Sequence, residues 1–127
     1  MSAGGGESMS KVTFYNTTKQ AVLGNSIDIA DTSAARNRGL LKRDGLAKGE
    51  GLWIVPSEAI HTFRMKFAID VVFLDKKKRV TKVVPRLKPS RLAFSWRAYS
   101  VLELPAGTAE ETGIEAGDLI EIQREAD

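Results

Sequence analysis

Short stretches in which apolar and polar residues alternate recur along this chain, and charged or glycine- and proline-containing turns separate them. An alternation of two residues places successive side chains on opposite faces of an extended strand, so each stretch suits a strand with a buried face. The pattern therefore predicts a β-rich fold. The predicted strands cover residues 12–16, 21–29, 51–56, 61–67, 69–75, 80–84, 98–105 and 119–123.

Two short helices are predicted between the strands. A side-chain oxygen in residues 31–33 can accept a hydrogen bond from a free backbone N–H and so begin a helix over residues 34–40. The second helix covers residues 106–112, with Thr108 as its cap and Gly113 after its end. We therefore expect an α+β fold, a small twisted β-rich sheet or partly closed barrel of about seven or eight strands with two short helices.

The length of the chain fits one domain. Two domains within 127 residues would each have too small a core. Hydrophobic residues make up 43% of the chain, which is enough for a packed interior. We expect residues 11–127 to form a single globular domain and the glycine-rich residues 1–10 to be a disordered lead.

The inventory of residue types excludes several kinds of chemistry. No cysteine is present, which excludes disulfides, thiolate metal sites and a cysteine nucleophile. The chain has one histidine, so a metal would depend on carboxylates, and we predict no metal site and no cofactor. The sequence shows neither a signal peptide nor the roughly 18 apolar residues of a membrane span. We expect a cytoplasmic protein without a membrane partner.

Charge is segregated along the chain although the net charge is only +3. Residues 76–97 hold nine Lys and Arg and no Asp or Glu, whereas residues 98–127 hold one Arg and eight acidic residues. One interpretation is a solvated basic hairpin beside an acidic end of the same domain. The other is an anion-binding surface that suits phosphates or single-stranded nucleic acid, with Phe94 and Trp96 interleaved. Its cations would be Arg86, Lys88, Arg91 and Arg97.

Three blocks of the sequence carry a family resemblance. They are RNRGLLKRDGL at 36–46, HTFRMKFAIDVVFLD at 61–75 and VLELPAGTAEETGIEAGD at 101–118. In this order and spacing they resemble the family named domain of unknown function 192, over almost the whole chain after residue 10. The resemblance implies kinship and brings no settled activity, cofactor or catalytic residue. Arg64 stands where the family usually has an aromatic residue.

Several polar and aromatic residues are candidates for a pocket. Arg36 and Arg43 either fix the first helix against the sheet or face a ligand, because a guanidinium offers five donors for either role. Glu103 lies within a predicted strand and is either an ion-pair partner or the floor of a pocket. The pocket candidates are Arg36, Arg43, Trp53, His61, Arg64 and Glu103.

His61 is the main candidate for chemistry, because a histidine pKa lies near neutrality and the ring can act as acid, base or ligand. The alternative is a structural histidine with satisfied hydrogen bonds. If His61 is catalytic, its expected associates are Asp70, Arg64 and Arg43. No Gly-x-Ser-x-Gly turn or other catalytic motif accompanies it.

Three functional hypotheses follow. The first is a non-catalytic binding or interaction module with an anion-accepting surface, whose partner is a small anionic ligand or a protein. The second is an enzyme with a cleft formed by His61, Asp70 and Arg43. The third is nucleic-acid binding through residues 76–97, which ranks below the first because no recognised nucleic-acid motif is present.

Overall fold

The computed structural model describes residues 11–124, and the disordered lead that we expect over residues 1–10 lies outside them. Within the described residues the chain forms nine strands and two short helices, which confirms the predicted α+β class. In chain order they are β1 (Val12–Asn16), β2 (Ala21–Ala30), α1 (Ser33–Arg38), β3 (Glu50–Ile54), β4 (Ala59–His61), β5 (Ile69–Leu74), β6 (Val80–Leu87), β7 (Leu92–Phe94), β8 (Ser100–Pro105), α2 (Thr108–Thr112) and β9 (Ile120–Arg124).

Seven strands form one curled sheet in the order β6-β5-β8-β3-β2-β1-β9, and β4 pairs with β7 in a separate two-stranded ribbon. All neighbours are antiparallel except β2 and β3. The two edges of the sheet approach each other. The N–H of Val80 donates to the carbonyl of Asp118 at 2.8 Å, and that of Ile120 to Lys78 at 2.9 Å. The sheet is therefore a partly closed barrel, as the sequence predicts.

The interior of the barrel is an apolar core to which the strands of the large sheet and α2 contribute. Leu102 and Leu104 of β8 are fully buried in it, as their alternation predicts. Val101 and Glu103 point to the opposite face, because successive side chains of a strand alternate. Both are also buried, so the outer face of β8 is covered by further structure.

A second layer covers this outer face. Leu40 after α1, Ile60 of β4, Met65 and Ala93 of β7 pack in one apolar cluster with residues of β3, β5 and β8 such as Val71. Side chains of both the helix–loop segment and the ribbon thus lie against the outer face of the sheet. The space between this layer and the sheet is where the candidate site lies.

The strand predicted for residues 61–67 is wrong beyond its first residue. The chain turns away because the buried Thr62 hydroxyl donates to the carbonyl of Lys88 at 2.6 Å and accepts from the N–H of Arg91 at 2.9 Å. Arg64 then adopts a positive φ of 68°, which a strand does not allow. The alternation of residues 61–67 therefore reflects a turn fixed by distant backbone contacts.

The two helices begin differently. Thr32 caps α1 by accepting the N–H of Ala35 at 3.1 Å, which confirms a cap within residues 31–33. The predicted Thr108 cap of α2 is wrong. Gly107, with a φ of 102°, occupies the cap position and has no side chain. The carboxylate of Asp70 on β5 supplies the missing acceptor and binds the N–H groups of the first turn.

No helix within residues 11–124 is long and apolar enough to cross a membrane. The same residues contain no cluster of three or more His, Cys, Asp or Glu side chains arranged to hold a metal ion.

Candidate functional site

A cavity of about 300 Å³ lies between the outer face of the sheet and the covering layer. Glu103 of β8 and Ile54 at the end of β3 contribute from the sheet, and Met65 contributes from the turn after β4. The rest of the wall comes from α1 with its following turn and from the segment that leads into β4. These residues are Arg36, Asn37, Arg38, Gly39, Leu40, Leu41, Pro56, Ser57, Ala59, Ile60 and His61.

Glu103 is buried, with 3% of its surface exposed. It is paired with Leu52 of β3 on one side and with Val71 of β5 on the other, so apolar side chains flank it on its own face of the sheet. Its Oε1 has no hydrogen-bond partner among residues 11–124. An unpaired polar atom in such a place is destabilising by roughly 1–3 kcal/mol. The residue also lines the cavity, so a carboxyl group whose hydrogen-bonding capacity the described residues leave partly unused lies beside that space.

The protonation state of Glu103 follows from its surroundings. Burial raises the pKa of Glu103 to about 8, and the positive charge of Arg43 opposes this only in part. At neutral pH most molecules therefore carry a neutral carboxyl group, which can donate one hydrogen bond and accept others.

Arg43 does not neutralise Glu103, because it is paired elsewhere. Its guanidinium donates to Asp28 Oδ2 at 2.7 Å, and Lys11 Nζ donates to Asp28 Oδ1 at 2.6 Å. Although burial opposes ionisation, these hydrogen bonds hold the pKa of Asp28 below its ordinary value. Asp28 is paired with Leu52 and Leu52 with Glu103, so the two carboxyl groups lie on the same face with one strand between them.

Arg36 places a cation on the wall of the cavity. Its Nη1 donates to the carbonyl of Asp31 at 3.1 Å and to that of Val55 at 3.4 Å, and its Nη2 donates to Ser33 at 3.4 Å. The contact with Val55 attaches α1 to the end of β3. Arg38, two residues further along the chain, also lines the cavity and is exposed. None of the hydrogen bonds of Arg36 joins a carboxylate, so its charge remains available to an anion.

His61 lies on the wall of the same cavity and is exposed to solvent. Its Nδ1 accepts a hydrogen bond from the N–H of Phe63 at 3.3 Å, and the two rings stack with their centroids 5.0 Å apart. With Nδ1 as an acceptor, a neutral ring carries its proton on Nε2. That nitrogen can donate to a ligand.

The structure does not bring Asp70 to His61. Asp70 is buried on the face of β5 opposite to Val71, where its oxygens accept the N–H groups of Arg86 at 2.8 Å, Gly107 at 3.1 Å and Ala109 at 2.7 Å. These bonds fix the start of α2 against the sheet. Asp70 makes these bonds and Arg43 is paired with Asp28, so neither side chain joins His61 in the predicted enzymatic cleft.

Two further pocket candidates lie outside the cavity. Trp53 packs in the barrel core, edge to face with Phe14 at a centroid distance of 5.5 Å. Its buried Nε1 has no partner among the described residues, and Lys78 Nζ lies 5.9 Å from its ring centroid. Arg64 is exposed on the turn after β4. Of the six pocket candidates, Arg36, His61 and Glu103 line the same cavity.

The four predicted anion-binding residues do not converge on one point. Arg86 pairs with Glu110 of α2 at 3.1 Å. Arg91 and Arg97 lie before and after β7, and Lys88 is exposed on the segment that leads to Arg91. The guanidinium of Arg91 contacts the carbonyls of residues 89 and 90 at 3.3 and 3.4 Å. Together these residues form a spread of charge rather than a single pocket.

Sequence reasoning missed Arg38, Ser57 and Met65 as wall residues. Met65 falls in the predicted strand at 61–67 and becomes part of the wall only because the chain turns there. The position of Arg38, two residues after Arg36, is a weak signal that α1 presents more than one cation.

A family model for DUF192, described as "Uncharacterized ACR", matches residues 14–122. A UPF0127 protein of Pyrococcus abyssi is 34% identical over 113 residues, which cover 84% of this chain and 93% of the relative. A UPF0127 protein of Thermococcus gammatolerans is 32% identical over 117 residues, which cover 83% of this chain and 71% of the relative.

Two crystal structures have a similar fold. A protein of unknown function from Novosphingobium aromaticivorans has a TM-score of 0.74 at 24% identity, with 87% of this chain and 82% of that chain covered. A putative transcription regulator from Sinorhizobium meliloti has a TM-score of 0.78 at 20% identity, with 92% and 98% covered. At these identities the likeness concerns the fold.

Proposed function

The chain belongs to the DUF192 family of uncharacterized proteins, and from this premise we propose that it is a non-catalytic module that binds a small anionic molecule in the cavity above Glu103. The observation that carries the proposal is the buried carboxyl group of Glu103, which lines a cavity of about 300 Å³ and whose Oε1 has no partner among residues 11–124. Binding sites typically combine an enclosed, partly apolar space with a few polar groups that lack partners in the free protein.

The two sides of the cavity differ in charge and suit the two ends of one ligand. Arg36 and Arg38 favour an anionic group such as a carboxylate or phosphate. The neutral Glu103 carboxyl group favours a carbonyl or hydroxyl oxygen, which can accept its proton in a hydrogen bond. The volume equals that of roughly ten water molecules, so the ligand has the size of a small metabolite.

Binding has more support than turnover. General acid–base catalysis needs a titratable group that is held within hydrogen-bond reach of the reacting atoms. The enzymatic hypothesis relied on Asp70 and Arg43 beside His61, but Asp70 holds the start of α2 and Arg43 is paired with Asp28. The exposed cations before and after β7, Arg91 and Arg97, extend the anion-accepting character to the surface.

The proposal is tested with a panel of small hydroxy acids, oxo acids and sugar phosphates, by thermal shift and by changes in the backbone NMR spectrum. A ligand that binds the folded state raises the melting temperature by mass action. We expect hits to perturb the amide signals of residues 36–41 and 57–61 that line the cavity.

Variants of the two sides of the cavity then identify the contacts. We expect Arg38→Met to weaken a hit about tenfold or more, since a hydrogen bond to a charged group is worth roughly 1.5–3 kcal/mol. Glu103→Leu should weaken it by up to about tenfold, since a hydrogen bond between neutral groups is worth roughly 0.5–1.5 kcal/mol. Arg64→Met is the matched control, because Arg64 is an exposed cation of the same layer outside the cavity. Equal affinity in all three folded variants, or NMR changes remote from residues 36–41 and 57–61, would contradict the proposal.

A further inference from the structure

The outer face of the β4–β7 ribbon carries exposed apolar and aromatic side chains. The register places His61 beside Leu92, and Phe94 follows two residues along the same strand. Leu92 is 72% exposed and Phe94 is 49% exposed, and Trp96, two residues beyond, is 72% exposed. Phe63, which is 46% exposed, joins this face through its stacking on His61. Contiguous exposure of this kind commonly marks an interaction site.

Cations are interleaved with these rings. Arg91 precedes β7 and Arg97 follows it, and the guanidinium of Arg97 lies 5.0 Å from the centroid of the Trp96 ring. Lys82 of β6 donates from Nζ to the carbonyl of Phe94 at 2.9 Å, so a further positive charge lies at the edge of the ribbon. We call the set of these rings and cations the ribbon surface; its residues are Phe63, Lys88, Arg91, Phe94, Trp96 and Arg97.

Acidic residues are missing from the segments that build this surface. Residues 59–69 and 76–99 contain no Asp or Glu, and Glu58 lies just before the first of them. These segments therefore supply no carboxylate that could neutralise Arg91 or Arg97. A surface with cations of one sign and exposed rings is complementary to a polyanion that has flat apolar groups of its own.

We propose that the ribbon surface binds single-stranded nucleic acid. Unpaired bases can stack on Phe94 and Trp96, while the phosphates contact Arg91, Arg97 and Lys88. Arg97 already covers part of the Trp96 ring, and a guanidinium plane is itself a stacking surface for a base. A duplex hides its base faces in its own stack, so the rings favour a single strand over a duplex.

The arrangement is less suitable for a membrane surface or for a second copy of the chain. Membrane-surface helices separate an apolar face from a cationic face, whereas here the rings of Phe94 and Trp96 lie between the cations at positions 91 and 97. The acidic side chains that a second copy would offer include Glu110 and Glu115, and each already has a cation partner, Arg86 and Lys19 respectively. The experiment nevertheless includes a measurement for each of these two partners, the membrane surface and the second copy.

The test measures fluorescence anisotropy of a labelled ten-nucleotide oligothymidylate with the full chain at 50, 100 and 200 mM salt, and repeats it with a duplex of equal length. With three or four phosphate contacts, counterion release predicts an affinity roughly 20- to 50-fold weaker at 200 mM than at 50 mM salt. Quenching of the exposed Trp96, with Trp53 buried, gives a second readout.

Variants separate stacking from charge. We expect Trp96→Ala and Phe94→Ala each to weaken binding about tenfold while the salt dependence stays unchanged, because stacking releases no counterions. Arg91→Gln and Arg97→Gln should each reduce the slope of log affinity against log salt concentration by the amount that corresponds to about one phosphate contact. Val22→Ala and Lys48→Gln are the matched controls, since these residues are exposed on other parts of the molecule.

Glu103→Leu distinguishes this proposal from the cavity proposal, because it should weaken small-ligand binding and leave oligothymidylate binding intact. Several results would overturn the inference: equal or tighter binding of the duplex, unchanged affinity in both ring variants, or binding to vesicles of anionic lipid without binding to the oligonucleotide. Light scattering that shows a salt-sensitive dimer lost in Trp96→Ala would assign the surface to a second copy instead.

Discussion

Arg43 donates a hydrogen bond to Asp28 at 2.7 Å and is thereby held away from an ion pair with Glu103. Asp28 and Glu103 lie on the same face of the sheet, with only β3 between their strands. The cation still lowers the pKa of Glu103 through its charge, but burial has the larger effect. Because Arg43 is paired with Asp28, it does not form the direct ion pair that would favour the ionised form of Glu103.

Substitution of Arg43 by Met should raise the pKa of Glu103 above about 8, because the opposing cation is removed while burial remains. The measurement is a ¹³C NMR titration of the side-chain carboxyl carbon of Glu103. Lys42→Met is the matched control, since Lys42 is an exposed cation next to Arg43 in the sequence. A pKa of Glu103 that falls or stays constant in Arg43→Met would show that the charge of Arg43 does not reach the carboxyl group.

Glu103→Gln should change how stability depends on pH. The carboxyl group ionises near its ordinary value of 4.5 in the unfolded chain and at about 8 in the folded chain, so the folded state alone keeps the proton between these values. Stability contributed by this group is therefore full below about pH 4.5 and falls as pH rises to about 8. The upper limit of the effect is about 5 kcal/mol, from roughly 1.4 kcal/mol per unit of pKa difference.

Urea unfolding from pH 5 to 9 measures this effect. We expect Glu103→Gln to gain stability relative to the native chain as pH rises, with the difference levelling off above the pKa of about 8. Glu121→Gln, an exposed site on β9, is the control. Parallel stability curves for Glu103→Gln and the native chain would contradict the raised pKa.

The alternation of residues along the central strands was sufficient to predict the sheet. The alternation at residues 102–104 predicts that the two leucines face inward and that Glu103 lies on the other face, and the structure confirms this because β8 has a neighbour on each side and continuous pairing. The same reasoning failed at residues 61–67, where hydrogen bonds of Thr62 with the backbone of Lys88 and Arg91 end the strand. Such contacts join positions 26 and 29 residues apart and leave no local pattern.

The sequence predicts which residues belong to the candidate site but does not predict that they lie in one cavity. Arg36, His61 and Glu103 could be named from the sequence, since each is a polar group in or beside a predicted element. Their convergence depends on the packing of α1 and the ribbon against the outer face of β8, which is set by contacts between distant segments. The pairing of His61 with Asp70 came from closeness in sequence, whereas alternation within β5 places Asp70 on the other face.

Asp70→Asn should destabilise the fold by roughly 2–4 kcal/mol and leave ligand binding intact. Three backbone N–H groups donate to the two oxygens of Asp70, and an Asn side chain would offer one oxygen and turn its own N–H donors toward one or more of them. Chemical denaturation measures the loss, with the exposed Asp31→Asn as the control. If the Asp70→Asn variant were fully folded and still lost ligand binding, the result would support the hypothesis of an enzymatic cleft that contains Asp70.

The segment that leads into β9 should be sensitive to acid through Asp118. Asn16 Nδ2 donates to the buried carboxylate of Asp118 at 2.8 Å, and Lys19 Nζ donates to both of its oxygens at 2.9 Å. Although burial opposes ionisation, these hydrogen bonds and that from the N–H of Glu115 hold the pKa of Asp118 below its ordinary value of 3.8.

A lowered carboxyl pKa contributes stability that is complete above the pKa of the unfolded chain and is lost as pH falls through the folded value. Asp118→Asn should therefore reduce the free energy of unfolding by about 2–3 kcal/mol at pH 7 and by progressively less below pH 4. The difference between the two unfolding curves isolates Asp118 from other acids, and Glu121→Gln is the exposed control. Because Asp118 and Asn16 join segments 102 residues apart, a constant difference down to pH 2 would mean that packing, and not this charge, holds the start of β9 against the end of β1.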